Sequence, residues 1–417
     1  MRLNRSVFFF ALGGLLAWAS AQAQSSVGPA LVGELGGRLQ VLKFPWAPEL
    51  VWRVELKRVE DAHLQLQLFA DAPGTRVELR VAIDPQRAAG TWTLRSGQLD
   101  PAIWLERLTP QLSPALVGAV AEGAIALRGA GEIRDGQLEG QVSLEWQHGA
   151  VRHATQGWAL AEIALAGDFI FGQNAARWAS VRPLQLTIGS ITTRRFGASN
   201  LTVRAHIDER LLPQIAEARV EIAGGEIVAA PFSVPLAPPV IQVALQIQRI
   251  GLADVVALVP TGLAEAQGRV QGTLQLGWSK ALGLQIGAGR LDLVPDEPMV
   301  LRLAPAPGLL SASVPERFAL LPAWLGPVAR WTAPLNPGYA DLVAIELGRT
   351  ALKVESLEVR LTPENDALGQ SARVLIQARP AITGTAVGPV GFEIGVKGPL
   401  AYVLRLGAED GATLSLR

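Results

Sequence analysis

An all-β fold of antiparallel strands is predicted by three features of the 417-residue chain. Apolar and polar residues alternate with period two along most of its length. Clusters of Gly, Asp and Pro separate the alternating runs, and helical periodicity is confined to a few short stretches. Composition agrees, since 43 Gly and 28 Pro punctuate a chain that is 49% hydrophobic and only 18% charged. That apolar content, without net charge, excludes disorder. The length is sufficient for one to three domains with a sizeable core.

In chain order, the first element is an export signal. Arg2 and Arg5 precede an apolar core from Val7 to Trp18, and Ala21 and Ala23 lead to an expected cut at Gln24. Residues 1–23 therefore read as a signal peptide, or as an inner-membrane anchor if left uncut, and predict a periplasmic location. The apolar core is short against the roughly 20 residues of a comfortable membrane span. No later stretch reads as a membrane helix.

Strands follow nearly everywhere. Leu64, Leu66 and Leu68 alternate with Gln65 and Gln67, and Val77, Leu79, Val81 and Ile83 alternate with Glu78 and Arg80. The pattern returns at Leu184–Ile188, Val243–Gln248, Val270–Leu276 and Arg373–Gln377. It makes about two dozen such runs in all. Turn signals lie between them, at Asp71 to Gly74, Asp135–Gly136, Gly224–Gly225 and Gly287 to Gly289. One apolar and one polar face per strand implies sheets with a dry side and a wet side. Pattern alone leaves open whether dry faces pack on each other in a sandwich or barrel, or stay accessible.

Helices are few. Asp100 is a plausible N-cap for Pro101–Leu108, with Pro at the first helical position. Leu252–Val259 is a second short candidate, ended by Pro260. The stretch 314–333 is broken by Glu316, Arg317 and Arg330 and by three prolines, and reads as one or two short amphipathic helices.

Chemical motifs are sparse. The absence of Cys removes disulfides, thiolate metal sites and Cys nucleophiles. No concentrated positive field offers itself to nucleic acid. Nucleotide-loop, zincin, nucleophile-elbow and calcium-loop patterns are missing, so no catalytic residue, metal site or cofactor is assigned. Gly129, Ala130 and Gly131 begin like a dinucleotide fingerprint but lead into the Asp135–Gly136 turn. His148 and His153 are expected on opposite strand faces, as polar residues on the wet side of a hairpin. His206 with Asp208 lacks an accompanying nucleophile. Asp292, Asp296 and Glu297 flank Pro295 and Pro298 and read as solvated loop charges. The tryptophans are scattered, which favours core packing over a carbohydrate platform.

Four segments in one order carry a resemblance. Strand Leu184–Ile191 precedes Phe196 to Leu201. Gly224 to Ile227 leads to Pro231 and Phe232. Val243–Ile247 then runs into Gly251 to Leu258, and Gly268 to Leu276 is followed by Gly287 to Leu291. This order resembles the C-terminal region of YdbH-type proteins, members of the AsmA-like group that includes TamB. The likeness is clearest over residues 184–303 and looser over Gly388–Leu400.

The resemblance implies a long curved antiparallel sheet forming a taco-like groove with an apolar interior. Phospholipid acyl chains would move along it between inner and outer membranes. A family label also mentions dicarboxylate transport, for which this sequence offers neither a membrane-spanning bundle nor a basic carboxylate pocket. In some relatives a small outer-membrane lipoprotein adds strands to the sheet, so an envelope protein or lipoprotein bound by strand augmentation is an expected partner beside phospholipid.

On this basis the chain divides into residues 1–23, a β-groove segment over 24–183 and a YdbH-like β domain over 184–417. Its expected role is non-catalytic lipid handling in the periplasm. The alternative is an envelope assembly factor that binds proteins by strand addition. A glycan-acting enzyme would need clustered carboxylates and aromatics, and an outer-membrane barrel would need more than Tyr339 and Tyr402 for its aromatic girdles. The expected groove-lining residues are Leu64, Leu66, Leu68, Val77, Leu79, Val81, Val243, Leu245, Ile247, Val270, Leu274 and Leu276. The apolar stretch Phe318–Trp331 is expected to gate an end of the groove, touch a membrane surface or cap a sheet edge.

Overall fold

The computed structural model describes residues 32–39, 49–58, 64–84, 86–112, 116–135, 137–172, 179–194, 196–208, 212–235, 240–253, 263–279, 283–318, 333–363, 371–382, 386–396 and 414–416. The signal segment, most of the expected 252–259 helix and residues 319–332 of the expected helical stretch lie outside them. Among the described residues there are 24 strands and two short helices. The strands pair antiparallel in a large open sheet that does not close into a barrel, as the alternation predicts.

The chain separates into two compact units. The first contains β1 (Val32–Leu39), β2 (Leu50–Arg58), β3 (Leu64–Ala72), β4 (Thr75–Asp84), β5 (Ala89–Leu99), helix α1 (Pro101–Leu112), β6 (Val120–Glu122), β7 (Ile125–Arg134), β8 (Gln137–His153), β9 (Trp158–Phe171), β10 (Ala179–Ser180) and β11 (Leu184–Thr192). Strands β12 (Gly197–Ile207), β13 (Pro213–Ile222) and β15 (Phe232–Ser233) give residues to both units. The second holds β14 (Gly225–Ala229), β16 (Val240–Gly251), β17 (Leu263–Gln267), β18 (Arg269–Ser279), β19 (Gly283–Leu293), β20 (Met299–Leu303), helix α2 (Pro337–Glu346), β21 (Leu352–Leu361), β22 (Ala372–Pro380), β23 (Val390–Val396) and β24 (Leu414–Leu416).

Pairing follows the chain closely, because short turns return each strand beside its predecessor. Gly74 (φ +76°) completes the tight turn between β3 and β4. Ala223 and Gly224 both take positive φ between β13 and β14, as a two-residue hairpin loop of matching twist requires. Where pairing skips a single strand, the skipped piece is short, whereas β17 pairs with β20 across the longer β18 and β19. Strand β5 pairs with β7, while β6 joins the far end of β8.

Long strands also bend, and bulges do the bending. The register slips between Leu94 and Gly97, between Trp146 and Gly149, between Ile247 and Ile250 and between Val354 and Ser356. His148, Glu162 and Arg249 hold positive φ at or beside such slips. A bulge inserts one residue, turns the strand and restores the same face beyond it. Gly287 and Gly289, expected in a turn, instead lie inside β19, at a bulge where β19 spends three residues against two of β18. A Cβ on Gly287 would sit 2.8 Å from the Gln275 Cβ, so glycine serves close strand approach there. Asp292 is likewise a strand residue and pairs with Arg290 at 3.0 Å, not a loop charge.

Helix α1 begins where expected, with the Asp100 carboxylate accepting from the Ala102 N–H at 2.9 Å, and runs to Leu112. Its Trp104 indole N–H reaches the Gly74 carbonyl and the Thr75 hydroxyl, tying the helix to the β3–β4 turn. Helix α2 was not anticipated. Asn336 caps it by accepting from the Gly338 N–H at 3.0 Å, with Pro337 at the first position.

Each unit has its own packed cluster. In the first, Val54, Leu56, Leu66, Val81, Ile83, Trp92 and Ile133 are buried together. In the second, Met299, Leu301 and Leu303 of β20 meet Ile345 of α2, Leu352 and Val354 of β21, and Ile247 and Val270 from the neighbouring strands.

Glu346 fastens α2 to the segment after β20. Its side chain is 2% exposed. It accepts from the Leu310 N–H at 2.9 Å, the Ser311 N–H at 3.1 Å and the Ser311 hydroxyl at 2.8 Å. Burial alone would raise its carboxyl pKa, but these donors and the Gly308 N–H outweigh burial and lower it to about 2. A folded pKa below the ordinary carboxylate value adds stability that is complete above about pH 4.5 and lost as pH falls toward 2. Glu346→Gln is expected to lower the stability of the second unit by about 2 kcal/mol at neutral pH. Urea midpoints of the two proteins should converge as the pH falls below about 4, and a constant offset down to pH 2 would refute this account.

Candidate functional site

Strand register assembles the alternating residues into rows that cross the sheet. In the first unit, Leu56, Leu66, Val81 and Trp92 stand opposite one another on β2 to β5. The next row runs through Val54, Leu68, Leu79 and Leu94 to Gly129 and Val142. A third joins Ala70, Val77, Gly97, Leu127 and Leu144. In the second unit, Leu245 faces Leu274, Val243 faces Leu276, and Ile247 lies between Ile227 of β14 and Gly272 of β18. Because side chains alternate across a strand, all these residues lie on one face of their unit.

The opposite face carries charge. Arg53 pairs with Glu34 and Glu55 at 3.5 and 3.6 Å and lies over the Phe69 ring at 5.0 Å. Gln67 donates to Glu78 at 3.0 Å. In the second unit Arg290 pairs with Glu358 at 3.5 Å and Arg373 with Glu393 at 2.8 Å. Such exposed pairs add about 0–1 kcal/mol each. Their larger effect is to keep this face in water and fix which face turns away from it.

The twelve residues singled out from alternation all lie on the apolar faces, and burial divides them. Leu66, Val81, Ile247 and Val270 belong to the packed clusters. Leu64, Leu68, Val77, Leu79, Val243, Leu245, Leu274 and Leu276 are half-buried. The first unit brings six of the twelve together and the second unit the other six.

Sequence reading missed what the glycines do. Trp92 of β5 lies flat across β7 and β8, where its row contains Gly131 and Gly140 instead of side chains. A Cβ on Gly131 would sit 2.6 Å from the indole nitrogen, and one on Gly140 2.4 Å from the ring. The indole N–H donates to the Glu139 carbonyl at 2.8 Å, and the ring reaches Phe171 of β9 at a centroid distance of 5.6 Å. The fingerprint-like Gly129 and Gly131 are therefore room for an aromatic ring.

The remaining polar candidates resolve locally. His153 is buried, contrary to its expected place on a wet face. Its Nε2 lies 2.9 Å from the Val117 carbonyl, its Nδ1 accepts from the Gln156 N–H, and its ring packs on Trp158. The bulge at His148 shifts the alternation, so His153 turns to the apolar side. Glu297 pairs with Arg249 and Arg269. Among the described residues no group of three or more His, Asp or Glu is placed to hold a metal ion, and no helix is long and apolar enough to cross a membrane.

A family model described as YdbH-like, intermembrane phospholipid transport protein YdbH, matches residues 15–316. The chain belongs to the YdbH-like family. No curated protein and no solved structure matches it. The YdbH-like match extends the resemblance back from residue 184 to residue 15, ahead of β1, and stops before the loosely similar tail at 388–400. Membership implies a part in intermembrane phospholipid transport within the cell envelope. For a YdbH-like protein, the apolar faces and not any polar cluster are the candidate site.

Proposed function

We propose that this YdbH-like chain works in the periplasm by sheltering phospholipid acyl chains against the apolar faces of its sheet as they pass between the inner and outer membranes. The observation that carries this reading is the set of registered apolar rows left half-buried beside packed clusters, with charged ladders on the other face. A face needed only for packing would be covered throughout. Each buried CH₂ contributes about 0.8 kcal/mol, so a 16-carbon tail would gain on the order of 10 kcal/mol on such a surface. That suffices to draw a tail out of water, yet spread over many weak contacts it leaves the tail free to slide.

Burial narrows the lining residues to the half-buried group, and these are the ones to test. Lipids extracted from the protein purified without detergent should appear in stoichiometric amount by mass spectrometry. In a variant carrying Leu79→Glu and Leu245→Glu, bound lipid should fall at least about tenfold while circular dichroism is unchanged, since each charge meets an apolar tail. A folded wild type without lipid would turn the reading toward an assembly factor that binds proteins by strand addition.

A further inference from the structure

In the first unit the apolar rows change character at Trp92. On one side Ile83 and Ile133 are each 1% exposed, with half-buried Leu64 and Leu138 at the ends of their row, and Leu56, Leu66 and Val81 in the Trp92 row itself are also buried. On the other side the large side chains Leu68, Leu79, Leu94 and Val142 are half-buried, as are Val77, Leu127 and Leu144 beyond them, although Val54 in the nearer row and Ala70 and Gly97 in the further one are buried. The boundary is the indole lying over Gly131 and Gly140 and closed by Phe171. It is held by a hydrogen bond to the Glu139 carbonyl, so it is a fixed bar and not a side chain free to swing.

The half-buried stretch has a definite length. From the Trp92 row to the row of Ile125 and Trp146 is six residues along β8, from Gly140 to Trp146, or about 20 Å at the usual rise per residue. One leaflet of a bilayer is about half of a roughly 30 Å hydrocarbon core. A single extended tail laid along the strands therefore fits between the bar and the strand ends. At those ends the apolar face finishes with Thr75, Leu99 and Ile125, where the Trp104 indole of α1 donates to the Gly74 carbonyl and the Thr75 hydroxyl. Asp71, Arg76 and Gln98, at the same end, stand on the opposite, charged face.

Resting on the lipid-sheltering reading above, we infer that Trp92 is a positioning residue that stops the tail. The terminal methyl of the acyl chain abuts the indole, the chain runs along β4, β5, β7 and β8, and the headgroup lies at the β3–β4 turn. The bar sets both the direction in which a lipid lies on this unit and the longest tail it accepts. It also keeps tails out of the packed rows around Ile83 and Ile133, whose burial holds the unit together.

The test uses the full chain with vesicles of phosphatidylethanolamine and phosphatidylglycerol. These carry a photoactivatable diazirine either at the tail end or beside the ester, and adducts are mapped by peptide mass spectrometry. Tail-end probes should mark Trp92, Leu94 and Phe171, and ester-side probes residues near Thr75 and Leu99. In Trp92→Leu the tail-end adducts should shift to Ile83 and Ile133, whereas Trp92→Phe should keep the wild-type map. Should Trp92→Leu fail to fold, Phe171→Leu opens the same bar from its other end and should give the same shift. A residue that serves packing alone would lower the melting temperature and leave the map unmoved. Tail-end adducts at Ile83 and Ile133 in the wild type, or a reversed map, would overturn the stop while leaving lipid binding intact. Absence of adducts from both probes would overturn the lipid reading and the stop with it.

Discussion

Leu301→Ala is expected to destabilise the second unit by about 4 kcal/mol, near the upper end for truncating a buried leucine. Leu301 is fully buried, opposite Leu352 on one side and Ala266 on the other. Ile345 of α2 belongs to the same cluster. Strand ladders on both flanks fix the backbone, so little can move in to fill the space left by the missing atoms. The cost is therefore the lost transfer energy plus that of a cavity. Urea unfolding followed by hydrogen exchange should show the midpoint falling and protection vanishing first in β17, β20 and β21. A loss below about 1 kcal/mol would mean that the site collapses, and that β20 and α2 do not pack tightly on each other.

Gly131→Val should cost the first unit about 3 kcal/mol for the opposite reason, overpacking. A Cβ at residue 131 would lie 1.9 Å from the Glu139 carbonyl oxygen and 2.6 Å from the Trp92 indole nitrogen. The first neighbour is backbone in a paired strand and cannot give way cheaply, and to clear the second the ring must lift and lose its hydrogen bond. Near-ultraviolet circular dichroism should lose the signal of an immobilised indole along with the stability. Gly391→Val is the control. Gly391 lies in β23 with nothing within 4 Å of its would-be Cβ, and its replacement should change stability by less than about 0.5 kcal/mol. Equal losses at the two positions would show that any side chain in these strands is costly and that Trp92 needs no special room.

Much of this was legible in the sequence because a half-buried strand writes its two faces into alternate letters. The runs at Leu64, Val77, Val243 and Val270 each fall inside a strand, on the predicted face. The bulges were also written there, as slips of phase. Apolar residues at 243, 245 and 247 are followed by Ile250, and Leu352 and Val354 by Leu357. Read as simple alternation, such slips look like noise. Two things were not legible. Which apolar residues end up in a packed cluster depends on what β20, α2 and Trp92 bring to them from far along the chain. The purpose of Gly131 and Gly140 depends on a side chain about 40 to 50 residues earlier, and glycine spacing alone pointed to nothing better than a weak nucleotide motif. Helix α2 had a readable start in Asn336 and Pro337, obscured by the proline-rich stretch before it.

The near-sequential pairing of the strands bears on how a chain of this kind can change over evolutionary time. Where strands meet mainly the partners beside them in the chain, removing or duplicating one hairpin leaves the hydrogen bonds of distant strands as they were. Stability then grows roughly as a sum over neighbours, as in stacked repeats. The reach of such a protein can therefore be lengthened or shortened two strands at a time without redesigning a central core.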